Sequence, residues 1–439
     1  MYLFTKVNFD KGNVLSLILA LFPLSFIAGN MLININIILI IILSLIFFNK
    51  ELFRTKIIFL DKIFFLYFSL IILTSFINDY YFFTEKMTWK GYFSTVVKSI
   101  LFLKYLLFYF VVRFLIEKKI VNLKLFFVIS FLATLFVTLD IFFQFYNGYD
   151  IFGFASVGRK LGGPFGDELI AGGFIQRFSL FAFFLIPIFF NKTILNRFSR
   201  YIIPILFIIF FFGLILSGNR MPAIIFILTI CLIIILQKET RKFLIPFLVI
   251  FFLFLSIIFK TNPTVKANFL NFYGQILKIN EFIVNKEIFN EDAPQYLKEF
   301  SSFYETWLIN KYIGGGIKNF RYYCHTRENI PKDGGFICNM HPHNYYLEIL
   351  TETGVIGLVL VVIIFFNVLY LTFIKKYFQI SSLNKNIMII PFIFLFIAEV
   401  FPIKSTGSFF TTGNSTYLFL IIGIMIGLIR RDNLIENKI

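Results

Sequence analysis

Hydrophobic segments of roughly 16 to 22 residues recur along the whole chain, each near the length that crosses about 30 Å of hydrocarbon as an α-helix. Twelve are predicted, near residues 14–29, 31–48, 63–78, 97–116, 125–146, 174–190, 201–217, 221–236, 243–259, 354–374, 388–403 and 416–429. The first is interpreted as a retained helix, because no small-residue cleavage site follows Lys6 and Lys11. This pattern predicts an all-α polytopic membrane protein.

The composition excludes a soluble class of protein. Hydrophobic residues make up 59% of the chain and charged residues only 15%, so there is too little charge to cover that much apolar surface. The 67 phenylalanines are interpreted as bilayer filling rather than recognition. The net charge of +17 is interpreted as an orientation signal and as contact with membrane lipids, without nucleic acid as a partner.

Basic residues predict the orientation of the chain in the membrane. Every second connection is basic, and these connections carry Lys50, Arg54, Lys56 and Lys62; Lys118, Lys119 and Lys124; Lys192, Arg197 and Arg200; Lys238, Arg241 and Lys242; Lys375, Lys376 and Lys385; and Arg430, Arg431 and Lys438. The positive-inside rule places them, with both termini, in the cytoplasm. Three parts follow: segments one to nine (1–259), a long outer loop (260–343), and segments ten to twelve with a cytoplasmic tail (344–439).

This topology gathers polar residues on the outer face. They are Arg159 and Arg177 around the connection 147–173, Arg220 in the turn between segments seven and eight, Arg321 after a glycine-rich turn, and Lys404 in the last outer turn. Arg220 is also compatible with simple snorkelling, and Arg159 and Arg321 with solvated loop charges. Asp140, Lys98 and Glu399 lie near the same level, which predicts a polar crevice that opens outward. Lys104 lies deeper and has no predicted role.

The end of the long loop carries the motif His341-Pro342-His343-Asn344, although the chain has only three histidines. A neutral imidazole can take a proton from a hydroxyl near neutral pH, and arginine forks bind phosphate oxygens. The alternative interpretation is a metal-binding or structural turn with Asn344 as a helix cap. Because the sequence has no Asp-x-Asp pair and no zinc-like cluster, neither a metal nor a cofactor is expected.

Two cysteines lie fourteen residues apart in the same outer loop. An oxidising periplasm would favour a disulfide between Cys324 and Cys338, the alternative being two free thiols. Cys231 lies within a hydrophobic segment, where a buried and unreactive thiol is expected.

The motif and the Tyr346-Leu347-Glu348, Glu352, Gly354 and Gly357 that follow it resemble the His-Asn-x-x-Leu signature of the O-antigen ligase and polymerase superfamily. Trp307, Gly314–Gly316, the Ser217–Arg220 turn and Gly163–Gly166 occur in the order typical of that family, so the resemblance covers roughly residues 155–360. The chain departs from the pattern at Lys311-Tyr312-Ile313, where a proline is common, and at Met221-Pro222.

The resemblance implies a GT-C-like fold of about twelve helices with a large periplasmic loop between the ninth and tenth. It implies a metal-independent, inverting glycosyltransferase of the bacterial inner membrane, with a periplasmic active site. The donor would be a glycan linked to undecaprenyl diphosphate, and the acceptor lipid A-core or a growing glycan. By motif position, His343 matches the catalytic histidine with His341 as its helper, Arg220 would bind the diphosphate, and Arg177 and Arg159 are weaker matches for the same task. Arg321, Lys404 and Asn344 are further candidates for binding the diphosphate or the glycan.

Three functions are compared. The leading one is a ligase that attaches a finished polysaccharide to lipid A-core. The second is a polymerase that joins repeat units on the same lipid carrier. The third is a polysaccharide flippase or transporter, which the large one-sided loop and the lack of visible inverted repeats disfavour.

Overall fold

The computed structural model describes residues 10–83, 94–156, 160–190, 194–237, 263–284, 294–327, 343–377, 387–404 and 407–436, with Cys338 and a few helical residues between 249 and 260. Its helices are α1 (Lys11–Ala20), α2 (Phe22–Ala28), α3 (Asn30–Phe53), α4 (Phe59–Phe83), α5 (Ser94–Glu117), α6 (Leu123–Asn147), α7 (Ala171–Phe189), α8 (Ile194–Leu216), α9 (Arg220–Leu236), α10 (Pro263–Val284), α11 (Gln295–Ile309), α12 (Phe320–Tyr323), α13 (Tyr345–Leu369), α14 (Ile390–Glu399) and α15 (Thr412–Glu436). In these ranges, extended pairing is limited to one bridge between Tyr149 and Ala155. The chain is an all-α polytopic membrane protein.

Seven helices of the described residues are long and apolar enough to cross a membrane: α3, α4, α5, α6, α7, α13 and α15. The pair α1 and α2, bent by 41°, would make an eighth. Shorter apolar helices are Tyr201–Leu216 within α8, α9 and α14. Every predicted segment except 243–259 overlaps a helix, and that segment lies largely outside the described residues. The total of twelve spans and the position of the long loop stay predictions.

Short polar residues and glycine set several helix ends. Asp10 and Asn122 accept hydrogen bonds from the first-turn amides of α1 and α6, at 3.1 Å and 2.9 Å. The C-terminus of α6 is capped by Gly148, whose φ of 84° lies in the left-handed region that glycine adopts without strain. The Gly148 cap ends α6 at the predicted outer surface, where the connection 149–170 begins.

Among the seven candidate membrane spans, α15 is the most buried, and it packs along α5. Gly423 and Gly427 allow this approach, because a Cβ on Gly423 would lie 3.0 Å from Val112 Cγ1 and one on Gly427 would lie 2.8 Å from Arg113 O. Small residues four apart commonly let two helices of a membrane bundle come this close. The pairing of α5 with α15 therefore forms the centre of the bundle.

A buried polar network joins α4, α5 and α15 near their predicted cytoplasmic ends. Arg113 pairs with Asp61, which also accepts from Tyr109 Oη at 2.8 Å. Glu117, one turn after Arg113, pairs with Arg430 at 3.1 Å. Charges within a bundle persist when they are paired with each other, so this network fixes three helices in one register.

The start of α13 is held by the glycine-rich turn at residues 314–316. The amides of Gly315 and Gly316 donate to Thr351 O and Glu352 O, both at 2.9 Å. α13 then breaks at Gly354, where φ is 66°. A Cβ at Gly354 would collide with the carbonyl oxygen of Tyr312, so the turn can cross the helix only at a glycine. This crossing fixes the helix that begins directly after His343.

We expect Gly354→Ala to destabilise the protein by at least about 2 kcal/mol, because alanine disfavours a positive φ and its methyl group would displace the turn. The apparent melting temperature of the purified protein, followed by intrinsic fluorescence, should fall by several degrees. The control is Gly274→Ala in α10, where a Cβ meets no atom within 4 Å and the melting temperature should not fall. Equal melting temperatures for the two variants would contradict this account of the crossing.

Candidate functional site

A cavity of about 420 Å³ lies at the predicted outer end of the bundle. Its walls come from the α2–α3 junction, the N-terminal half of α7, the α8–α9 turn and the segment 404–414. Its apolar lining residues include Phe26, Ile33, Phe165, Phe174 and Phe178, and its polar lining residues include Glu168, Gln176, Arg177, Asn219, Lys404, Ser408, Thr411 and Asn414. We call it the α7 cavity. Because apolar side chains and two cations both line it, the cavity suits an anion that is attached to an apolar chain.

Glu399 holds the two cations of this cavity in place. Its Oε1 lies 2.7 Å from Arg177 Nη2, and its Oε2 lies 2.8 Å from Lys404 Nζ. The carboxylate is fully buried, while Arg177 retains 14% of its side-chain exposure and Lys404 6%. Two cations share one carboxylate, so the cluster carries one surplus positive charge. We call it the Arg177–Glu399–Lys404 cluster.

Aromatic and amide side chains complete this cluster. Tyr345 Oη donates to Glu399, and Tyr417 Oη donates to the carbonyl of Arg177 at 2.9 Å. The Arg177 guanidinium also donates to Asn414 Oδ1 at 2.6 Å and lies 4.8 Å above the Tyr417 ring. Lys404 Nζ is buried, and its ion pair with Glu399 can use only part of the three N–H donors of an ammonium. The lysine therefore keeps hydrogen-bonding capacity at the cavity wall.

His343 lies beside this assembly rather than in the cavity wall. Asn344 caps α13 by accepting from Tyr346 N and Leu347 N at 3.0 and 3.1 Å, and its Nδ2 donates to Pro402 O at 2.9 Å. One side chain thus ties the histidine segment to the loop that carries Lys404. Both interpretations of Asn344, as helix cap and as site residue, fit this position.

The backbone and surroundings of His343 are unusual. Its φ of 53° places a non-glycine residue in the left-handed region, which costs about 1–2 kcal/mol and is common at functional sites. Burial and then the positive charge of Lys160 lower the pKa of its imidazole below the ordinary value of 6.5. His343 is therefore neutral, and able to accept a proton, at neutral pH.

The α8–α9 turn brings Arg220 to the edge of the cavity. Asn219 and Pro222 line the cavity, and Arg220 lies between them as the first residue of α9. Asn219 accepts from Gly172 N and donates to Leu169 O, both at 3.0 Å, which fastens the turn to the start of α7. A Cβ at Gly172 would lie 2.5 Å from Ser217 Oγ, so this packing requires glycine.

The remaining predicted residues lie elsewhere. The Arg321 guanidinium lies 4.9 Å from the Tyr322 ring and close to Lys98, away from the α7 cavity. Cys324 and Cys338 are joined by a disulfide. His341 and Arg159 lie outside the described residues. Among the residues that the structure does describe, no three His, Cys, Asp or Glu side chains come together as a metal site.

The predicted shared crevice for Asp140, Lys98 and Glu399 is wrong, because each has a different partner. Asp140 accepts from Ile151 N at 2.9 Å, and Lys98 donates to Lys318 O at 3.1 Å. None of the three lines the α7 cavity, although Glu399 pairs with Arg177 and Lys404, which do. Asp140 and Lys98 each bind the backbone of a connecting segment. This explains why both lie at the outer level of the bundle without a common cavity.

Sequence reasoning missed Tyr345, Asn414 and Tyr417, and it gave Glu348 no role. Glu348 is buried and accepts from Ser408 Oγ and Phe409 N, which anchors the loop of Lys404 to α13. The signal for Glu348 was an acidic residue at the start of an apolar helix, within the histidine motif. Asn414 and Tyr417 carried no such signal, because polar residues at the end of an apolar helix are common.

Comparison with known families agrees with the resemblance noted in the motifs. Residues 205–362 match the model of a family described as O-antigen ligase. This match covers about a third of the chain. The matched stretch includes Arg220 and His343, whereas Arg177, Glu399 and Lys404 lie outside it. No curated protein is significantly similar to the chain.

We expect Glu399→Gln to destabilise the protein far more than Lys404→Met does. Removing the carboxylate leaves Arg177 and Lys404 buried without a counter-charge, which costs roughly 3 to 5 kcal/mol for a buried pair, whereas Lys404→Met leaves the Arg177–Glu399 pair intact. The measurement is thermal unfolding of both purified variants. Combining Glu399→Gln with Lys404→Met should recover part of the loss, and equal melting curves for the two single variants would rule out this central role for Glu399.

Proposed function

We propose that this membrane protein is an O-antigen ligase-type inverting glycosyltransferase, which moves a polysaccharide from undecaprenyl diphosphate to a lipid A-core hydroxyl at the periplasmic face of the bacterial inner membrane. The observation that carries the proposal is the α7 cavity, whose apolar wall and surplus positive charge match a polyprenyl diphosphate. The match of residues 205–362 to the O-antigen ligase family model supports the reaction class.

In this proposal, Arg177 and Lys404 bind the donor diphosphate. Arg177 presents a fork that can hold phosphate oxygens, and Lys404 supplies a compact charge with three N–H donors, only part of which its pair with Glu399 uses. Arg220 joins them from the neighbouring turn, and Arg159 is assigned to the same task. Apolar residues such as Phe26 and Phe174 would contact the first units of the lipid.

The chemical step follows from these positions. The imidazole of His343 takes the proton of the acceptor hydroxyl, with His341 as its helper, while that oxygen attacks the anomeric carbon of the donor sugar. The bond from this carbon to the phosphate oxygen breaks, and its electrons leave on undecaprenyl diphosphate. The arginines and Lys404 stabilise the departing negative charge, so the residues present supply the electrostatic work without a metal.

We expect His343→Asn to lower glycan transfer on the order of 10²-fold or more, because it removes the base but keeps a residue that tolerates a positive φ. The assay combines the purified protein, a glycan linked to undecaprenyl diphosphate and lipid A-core, with products separated on a gel. His325→Asn is the control, since His325 is an exposed loop histidine. Full transfer by His343→Asn would exclude it as the base.

The same gel separates ligase from polymerase. A ligase yields glycan attached to lipid A-core, whereas a polymerase yields longer chains that stay on the lipid carrier. Elongation without attachment would replace the ligase proposal with the polymerase, and no transfer in either form would reject both.

The pH dependence of kcat/KM should show two limits. Burial lowers the pKa of Lys404 to about 8, so its charge and its contribution to donor binding are lost above that pH. Because the pKa of His343 is lowered below 6.5, the imidazole becomes protonated, and transfer is lost, only at a pH under that value. This loss is the acid limit. Lys404→Arg should remove the alkaline limit, because arginine stays charged, and should leave the acid limit in place. An unchanged alkaline limit in Lys404→Arg would exclude Lys404 as its source.

A further inference from the structure

A second group of cations lies around the predicted outer half of α5. It consists of Lys98 and Lys104 on α5 and Lys318 and Arg321 after the glycine-rich turn, and we call it the α5 cationic cluster. Lys98 Nζ donates to Lys318 O at 3.1 Å, and the charges of Lys318 and Arg321 both act on Lys98. Lys318 also repels Lys104, whose Nζ donates to Asn34 Oδ1 at 2.6 Å. Four like charges therefore share one region.

The carboxylates nearby do not form ion pairs with these lysines. Asp79 accepts from Thr95 N and Val96 N at 2.8 and 2.9 Å, and Glu352 accepts from Lys318 N at 2.7 Å, so both carboxylates bind backbone amides. Within the described ranges, no salt bridge joins Lys98, Lys104 or Lys318 to an acidic side chain. A cluster of this kind is stabilised by binding an anion.

The backbone of Lys318 is held in this cluster. Lys318 is exposed, yet its φ of 52° lies in the left-handed region, at a cost of about 1–2 kcal/mol. The hydrogen bond from its amide to Glu352 and the anchored glycines before it maintain that conformation. The fold therefore fixes the place from which the exposed Lys318 side chain can reach a ligand.

Two successive turns of α13 contact the α7 cavity and the α5 cationic cluster. On α13, Glu348 binds the loop segment Ser408–Phe409 beside the cavity, and Glu352 binds the backbone of Lys318. These glutamates are four residues apart, or about 6 Å along the helix. The helix starts just after His343, so the proposed base lies near the end of a helix that positions two separate cationic sites. A transferase with one anionic donor needs its second site for the acceptor.

We infer that the α5 cationic cluster binds a phosphate of the acceptor, a phosphorylated glycolipid of the outer leaflet. The inference rests on the proposed transferase function and deepens it by naming the chemistry of the second substrate. Lys98 and Lys318 would hold the phosphate at the level of the lipid headgroups. Arg321, which the sequence assigned to the donor or glycan, belongs to this acceptor site. Lys104 lies about 9 Å further along α5 and would form the lower edge of the site.

The test measures binding directly on the detergent-solubilised full chain. The probes are a fluorescent lipid-linked disaccharide carrying one phosphate and its dephosphorylated counterpart. We expect the double variant Lys98→Gln with Lys318→Gln to weaken binding of the phosphorylated probe by at least about tenfold, because two charge-assisted contacts are lost. Binding of the dephosphorylated probe should not change. Lys311→Gln is the matched control, an exposed lysine in the same loop outside the cluster, and should bind both probes as the unmodified protein does.

Binding separates this inference from the proposed function. If the phosphorylated probe binds through Lys98 and Lys318 but no transfer occurs, the site stands and the enzymatic assignment fails. If transfer occurs but the double variant binds the probe normally, the site is wrong and the function stands. Competition by phosphatidylglycerol in mixed detergent micelles distinguishes a glycolipid phosphate from the phosphate of bulk lipid. Failure of this lipid to compete supports a glycolipid acceptor, and competition at equal concentration overturns it in favour of bulk lipid.

Discussion

One buried carboxylate organises the predicted outer end of this bundle. Glu399 lies at the end of α14 within an otherwise apolar helix, and its charge is tolerable only because Arg177 and Lys404 flank it. That requirement draws α7 and the 400–404 loop together and leaves an amphipathic cavity between them and the α2–α3 junction. Because two cations pair with one carboxylate, the Arg177–Glu399–Lys404 cluster keeps one surplus positive charge. The arrangement that allows Glu399 to be buried thus also forms the proposed anion site.

α13 connects this anion site to the rest of the outer face. Its cap residue Asn344 binds the loop of Lys404, Glu348 binds the same loop one turn later, and Glu352 binds the glycine-rich turn. The break at Gly354 lets that turn cross the helix. These residues look like separate motifs in the sequence. In the fold, they are successive points at which one helix is attached to its neighbours. His343 directly precedes the cap residue Asn344 and has a positive φ.

Much of the fold follows from local sequence. Apolar runs long enough to span a bilayer predict the helices well, and rare polar residues in those runs predict buried partners. The pairing of Arg177 with Glu399 spans 222 positions, and no local pattern specifies it. Asp140 shows the opposite limit: its depth suggested a cavity shared with Lys98 and Glu399, but one of its oxygens accepts from the nearby backbone amide of Ile151. The motif indicated His343 and Asn344, whereas Arg321 could be placed only when the glycine-rich turn was located against α5.

The central claim is that the Arg177–Glu399–Lys404 cluster binds the diphosphate of a lipid-linked donor. Electron cryomicroscopy of the protein with undecaprenyl diphosphate tests it most directly. The account predicts phosphate density in the α7 cavity within hydrogen-bonding distance of Arg177 and Lys404, with the lipid tail along Phe26 and Phe174. Phosphate density at the α5 cationic cluster, with the α7 cavity empty, would contradict it.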